Sequence, residues 1–175
     1  ALYMQGEYAQ AQRHLQDTLE IHQQVGDPWG KAIRYNNLAL IAHALGQYTD
    51  ARDLYARSLE FWKVLHQEYG MASCFNNMGL VAEAVEELSE ARRLYSHALK
   101  TFEILGHRYG MASCLNNLGN VAASLGEHGG ARRYYQQALE LRENLGDQRG
   151  VASVLNNLGR VADILEEFPA SREHF

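Results

Sequence analysis

The sequence predicts an all-α solenoid of antiparallel helix hairpins. Three observations carry that expectation. The first is a period of forty residues without insertion or deletion: Gly30, Gly70, Gly110 and Gly150 stand in register, as do Asn36-Asn37, Asn76-Asn77, Asn116-Asn117 and Asn156-Asn157. Residues 69–74 (YGMASC) recur unchanged at 109–114. A fixed period in this range marks a repeat architecture, in which neighbouring repeats share a continuous core. The second observation is apolar residues at helical spacing in two stripes per repeat. The third is a connection of two or three residues between those stripes, which forces the two helices antiparallel.

The elements follow in order. Residues 1–27 read as the end of a preceding repeat, the tail of a first helix (Ala1-Leu2-Tyr3-Met4) followed by a second helix. Repeat 1 covers 28–67. Asp27 is suited to N-cap its first helix, and Pro28 sits at the first helical position, where a missing N–H costs nothing. Tyr35, Leu38, Ala39, Ile41, Ala42 and Leu45 then form one stripe, predicting a helix over about residues 29–45 that ends on Gly46 as a C′ glycine. Tyr48, Ala51, Leu54, Tyr55, Ser58, Leu59, Trp62 and Leu65 form the second, predicting a helix over about 48–65. Repeats 2 and 3 cover 68–107 and 108–147, and 148–175 reads as a partial repeat 4 that stops inside its second helix. Gly26, Gly106 and Gly146 follow second helices, with His66 in the remaining place. Glu86-Glu87 stands where a Leu-Gly turn is expected and weakens that helix end.

Small residues recur where helices must touch: Ala39, Gly79, Gly119 and Gly159 in first helices, with Ala51, Ala91 and Ala131 in second helices. A mid-helix glycine costs about 1 kcal/mol against alanine, so its recurrence implies a close approach that offsets the cost. Tyr55, Tyr95 and Tyr135 are the large residues placed to fill the space beside it.

The order of these residues is specific. Phe75, Met78, Gly79, Ala82, Ala91, Tyr95 and Ala98 in one repeat, and Leu115, Leu118, Gly119, Ala122, Ala131, Tyr135 and Ala138 in the next, resemble the tetratricopeptide repeat over essentially the whole chain. The usual period of that repeat is shorter by six residues. The longer form, with N-N-L-G in the first helix and L-G-D between repeats, resembles kinesin light chains, G-protein-modulating spindle adaptors and bacterial multidomain regulators. The resemblance implies a right-handed superhelical solenoid whose first helices line a concave groove.

A helical wheel shows which first-helix residues the stack leaves uncovered. They include Asn36, Asn37, Leu40 and His43; then Ser73, Asn76, Asn77, Leu80 and Glu83; then Ser113, Asn116, Asn117 and Asn120; then Ser153, Asn156, Asn157 and Arg160. By the resemblance, these line the groove. Asn is an unusual mid-helix choice because it competes for backbone hydrogen bonds. One reading is a ladder of amides that grips the backbone of an extended peptide, with Asn36, Asn76, Asn116 and Asn156 taking the larger share. The other is structural: one Asn of each pair ties neighbouring first helices together. Positions that differ between repeats (Leu40, Leu80, Asn120, Arg160, and His43, Glu83, Ala123, Asp163) would set specificity. Arg160 either anchors a partner's carboxylate or pairs with Asp163.

Composition bounds the remaining classes. A net charge of −5 spread along the chain argues against nucleic acid as a partner, which normally meets a basic stripe. No apolar run is long enough for a membrane span. Cys74 and Cys114 read as reduced packing residues, which fits a cytoplasmic location. No two of the eight histidines form an i, i+4 pair on one helix, so no metal site is expected, and no cofactor. Arg92-Arg93 and Arg132-Arg133 read as an ion-paired outer face beside Glu86, Glu87, Glu90 and Glu127. No nucleotide-binding or nucleophile motif occurs, so the expectation is not an enzyme but a protein-interaction scaffold that binds an extended or helical peptide. The alternative is a spacer or self-association arm of a larger regulatory protein, with end-to-end contacts through Leu2, Tyr3 and the faces near Val161 and Ile164.

Overall fold

The computed structural model of the chain describes residues 10, 14–15, 17–19, 21–22 and 24–172, the stretch 166–172 in backbone only. The expected first-helix tail within 1–27, including Leu2 and Tyr3, lies outside the described residues. The described positions between Gln10 and Gln24 are helical.

Seven helices follow: α1 (Pro28–Ala44), α2 (Tyr48–Val64), α3 (Glu68–Ala84), α4 (Leu88–Ile104), α5 (Arg108–Ser124), α6 (His128–Asn144) and α7 (Gln148–Arg172). No strand occurs among the described residues. The helices α1 to α6 each span 17 residues, so the forty-residue period is kept by the backbone itself. Their bounds agree to within a residue with those expected from the stripes.

The turns explain why the period survives changes of sequence. After α1, the Gly46 amide donates to the His43 carbonyl at 3.0 Å and the Gln47 amide to the Ala42 carbonyl at 2.9 Å, a Schellman motif with Gly46 at φ 75°. Gly26, Gly106, Gly126 and Gly146 take the same left-handed conformation. His66 and Glu86 take it too, at φ 52° and 61°, where a side chain costs about 1–2 kcal/mol. One expectation changes at the C-terminal end. A second helix was expected after Leu165, but α7 continues unbroken through Arg172. Glu166 occupies the phase of Gly46, Glu86 and Gly126, where the earlier repeats turn, but its backbone stays helical.

The chain divides into two compact units, Ala1–Glu86 and Glu87–Phe175. In the first, α1 and α2 form a hairpin, and α3 returns against α2. Its core joins Ala39, Ala42, Ala51, Tyr55 and Val81, with a second cluster of Ala32, Leu59, Trp62 and Cys74. Beside that second cluster the buried Ser58 hydroxyl donates to the Ala32 carbonyl at 2.7 Å and accepts from the Cys74 thiol at 3.4 Å, so one side chain joins α1, α2 and α3. In the second unit, α4 packs on α5, α5 and α6 form a hairpin, and α7 returns against α6. Its core holds Leu115, Ala122, Ala131, Tyr135, Ala138, Val154 and Val161. Gly119 permits the expected close approach, because a Cβ there would overlap the Tyr135 ring.

Both cysteines are buried and free. Burial pushes the Cys74 thiol up to about 11 and the Cys114 thiol up to about 12. Of the arginine pairs expected to be ion-paired, the first is, with Arg92 to Glu127 and Arg93 to Glu90 each at 2.6 Å, while Arg132 and Arg133 are exposed. These exposed pairs contribute little to stability.

Candidate functional site

Three of the four first helices, α1, α5 and α7, start from a side-chain cap that the sequence can be seen to choose. Asp27 Oδ1 accepts from the Gly30 amide at 3.0 Å, His107 Nδ1 from the Gly110 amide at 3.0 Å, and Asp147 Oδ1 from the Gly150 amide at 2.9 Å. Each bond satisfies one of the orphan amides of the first turn. The caps hold the Asp27 and Asp147 carboxyls below the ordinary carboxylate range, through the Gly30 and Gly150 amide hydrogen bonds first, with His22 beside Asp27 and the Arg142 hydrogen bond to Asp147 acting in the same direction. In α3 the corresponding Gln67 makes no side-chain cap.

The in-register glycines sit against the preceding second helix. A Cβ on Gly70 would overlap the Trp62 ring, one on Gly110 would come within 2.6 Å of the Phe102 ring, and one on Gly150 within 2.6 Å of Arg142 Cδ. Close packing here fixes where each first helix begins, and so the height of every residue along it.

That register brings the asparagines of neighbouring first helices together. Asn77 Nδ2 donates to Asn36 Oδ1 at 3.3 Å, linking α3 to α1, and Asn76 Nδ2 donates to Asn77 Oδ1 at 3.3 Å. In the second unit Asn157 Nδ2 donates to Asn116 Oδ1 at 3.1 Å and to Asn120 Oδ1 at 3.3 Å, linking α7 to α5. Asn120 Oδ1 also accepts from the Tyr135 hydroxyl at 2.8 Å. Among the amides, Asn36, Asn37, Asn76, Asn77, Asn116, Asn117, Asn120 and Asn157 are half-buried, and Asn156 is exposed. Within each unit the asparagines are therefore open to water on one side and bonded from one first helix to the next.

The remaining candidates are less alike. Leu40 is 41% exposed, Leu80 is half-buried, and Ser153 and Arg160 are exposed. Arg160 and Asp163 form no ion pair among the described residues. His43 lies half-buried with its ring 5.8 Å from Tyr48, and Glu83 is half-buried. Ser73 is half-buried, whereas Ser113 donates to the Tyr109 carbonyl at 3.0 Å and accepts from Arg142 Nη2 at 2.9 Å.

Sequence reasoning missed a cavity of about 310 Å³ beside this row in the first unit. Trp29, Trp62, Gln67 and Tyr69 line it together with Asn36 and Ser73. A signal was available: Trp29, Tyr69 and Tyr109 occupy one phase near the start of first helices, outside both apolar stripes, and stand 47%, 53% and 50% exposed. No three His, Cys, Asp or Glu side chains come together as metal ligands among the described residues, and no helix there is long and apolar enough to cross a membrane.

An unvarying hairpin backbone with side chains that change from repeat to repeat defines a helical-repeat scaffold. A model of the tetratricopeptide repeat matches residues 1–63, 30–104, 70–144 and 110–175, and the chain belongs to that family. Its fold is similar to the crystal structure of BtubC (BKLC) from P. vanneervenii, with TM-score 0.83 and 23% identity over 98% of this chain and 71% of that one. It is likewise similar to the apo form of RapI, with TM-score 0.81 and 15% identity over 96% of this chain and 47% of that one. No curated protein matches the chain. Family and fold together make it a protein–protein interaction scaffold of the all-α solenoid class, a class generally without catalysis.

Proposed function

We propose that the chain captures a segment of a partner protein along its first-helix face, with the asparagine row bonding the partner's backbone. The observation that carries this reading is the row itself. Asn36 and Asn116 each spend their side-chain oxygen on an amide of the next first helix, and an asparagine then still has two N–H donors to offer. Such donors suit the carbonyls of an extended strand, which carry no sequence information. Discrimination falls to the varied positions Leu40, Leu80, Asn120 and Arg160. In Asn120 the oxygen is already shared by Tyr135 and Asn157, which leaves its amide hydrogens as the reading group.

The amide-to-amide bonds also support a second reading, a spacer or self-association arm in which the row only joins helices. The two separate in one experiment. Linear peptides are selected from a phage-displayed random library against the chain and their affinities measured by calorimetry. A hydrogen bond contributes about 0.5–1.5 kcal/mol net, so Asn36→Ala with Asn116→Ala is expected to weaken the selected peptides roughly tenfold or more. The thermal midpoint should fall by only a few degrees. Unchanged peptide affinity with a large loss of midpoint would leave the spacer reading standing and remove peptide capture.

A further inference from the structure

We infer that the first unit carries a receptor for one uncharged apolar side chain, aromatic or branched aliphatic, in the cavity between the N-terminal halves of α1 and α3. This deepens the peptide-capture reading and rests on it for the source of the side chain. The walls are Trp29 and Ile33 from α1, Trp62 from α2 and Tyr69 from α3. Gly70 lets the Trp62 ring form the floor, since that ring occupies the space a side chain there would take. Trp29 stands edge-on to Trp62 with ring centroids 5.0 Å apart, an arrangement that fixes both rings and leaves an aromatic surface facing the void.

Three features define the occupant. The volume of about 310 Å³ lies at the small end of ligand pockets, enough for one large side chain and not for a folded element. Among the described residues no charged side chain lines the void, so a carboxylate or ammonium would enter without a counter-charge from them and lose its hydration uncompensated. The polar groups that do border it, Asn36 and Gln67, are amides able to bond the backbone on either side of a seated residue. The repeat backbone does not impose this chemistry. Eighty residues later the same phases hold Ser113 for Ile33, Arg142 for Trp62, Asp147 for Gln67 and Arg149 for Tyr69. There Arg142 bonds Ser113 and Asp147, and the matching place is charged.

Both tryptophans of the chain line the cavity, so indole emission reports on it directly. The probes are N-acetyl-leucinamide and N-acetyl-phenylalaninamide, against N-acetyl-lysinamide and N-acetyl-glutamic amide at matched ionic strength. A saturable emission change is expected for the neutral pair, at least about tenfold weaker for the charged pair and for the Ile33→Asp variant. Ser73→Phe, at the half-exposed mouth, should block the same response and guards against misfolding of Ile33→Asp. Peptide selections against the wild-type chain should enrich an apolar residue at one position, and selections against Ser73→Phe should not. No saturable emission change, or equal response to charged amides, overturns the receptor. Selected peptides that bind without an apolar position overturn it while peptide capture stands. Emission changes without any selected peptide keep the receptor and remove peptide capture.

Discussion

The two units solve one packing problem with opposite chemistries. In the first, the seam between α2 and α3 is built from Trp62, Gln67 and Gly70; in the second, the seam between α6 and α7 is built from Arg142, Asp147 and Gly150. In both, a glycine lets a large side chain of the preceding helix lie against the start of the next. In the first unit that side chain is an indole, the cap is missing and a cavity opens. In the second it is a guanidinium that ties the cap carboxylate to Ser113. The turns differ in the same direction. α3 is entered through His66 and left through Glu86, both in the left-handed conformation, whereas Gly106, Gly126 and Gly146 serve the second unit. The helix nearest the proposed receptor is thus the one with the least favourable ends, which is where functional features tend to depart from local rules.

The largest way to break this contrast is Trp62→Ala. Trp62 is only 7% exposed, and truncating a buried aromatic costs about 3–5 kcal/mol. For a chain of this size the thermal midpoint should fall by roughly 6–20 °C, read by calorimetry. Arg142→Met, which keeps the apolar stem and removes the charge, should cost clearly less, and its cost should shrink with added salt. Equal losses would mean that the two seams are not different in kind.

An intermediate effect is expected at the turns. His66→Gly and Glu86→Gly should each stabilise by about 1 kcal/mol by relieving a left-handed side chain, raising the midpoint by roughly 2–4 °C. Gly106→Ala and Gly126→Ala in the second unit should lower it by a similar amount. Amide exchange in α3 should slow once both glycines are present; unaltered exchange would show that the turns do not limit that helix.

The smallest effect is the pH dependence of the second seam. The Asp147 carboxyl titrates below its ordinary value because the Gly150 amide and Arg142 favour the charged form. Its contribution is therefore fully present above the unfolded carboxylate value, near pH 4, and is lost as pH falls through the lower folded value. Asp147→Asn should sit below wild type at neutral pH and converge with it in acid. The neutral Gln67 at the same phase of the first unit should give no such convergence when changed to Ala.

Much of the fold is legible in the sequence because its signals are backbone signals. Helix bounds followed from stripes, and turns from glycines that mark positive φ. The exceptions at His66 and Glu86 were visible as missing glycines, and they show that the surrounding packing holds the turn conformation without one. The end of α7 was not legible, since a phase argument assumes that each repeat closes as the others do. Of the site, the asparagine row and its phase were readable, but the bond from Asn77 to Asn36 depends on side-chain rotamers in two helices. The cavity escaped because stripes find residues that face the core. Trp29 and Tyr69 face neither stripe, and Gly70 contributes by the atoms it lacks.

The two sealed thiols have a practical consequence. Only a thiolate attacks maleimides and disulfide reagents at useful rates, and groups held near 11 and 12 inside the helix packing supply almost none at neutral pH. A cysteine introduced on the surface would therefore be the single reactive sulfur in the folded chain. Fluorophores and spin labels could be placed repeat by repeat without first deleting Cys74, whose thiol donates to Ser58 in the middle of the first unit's packing.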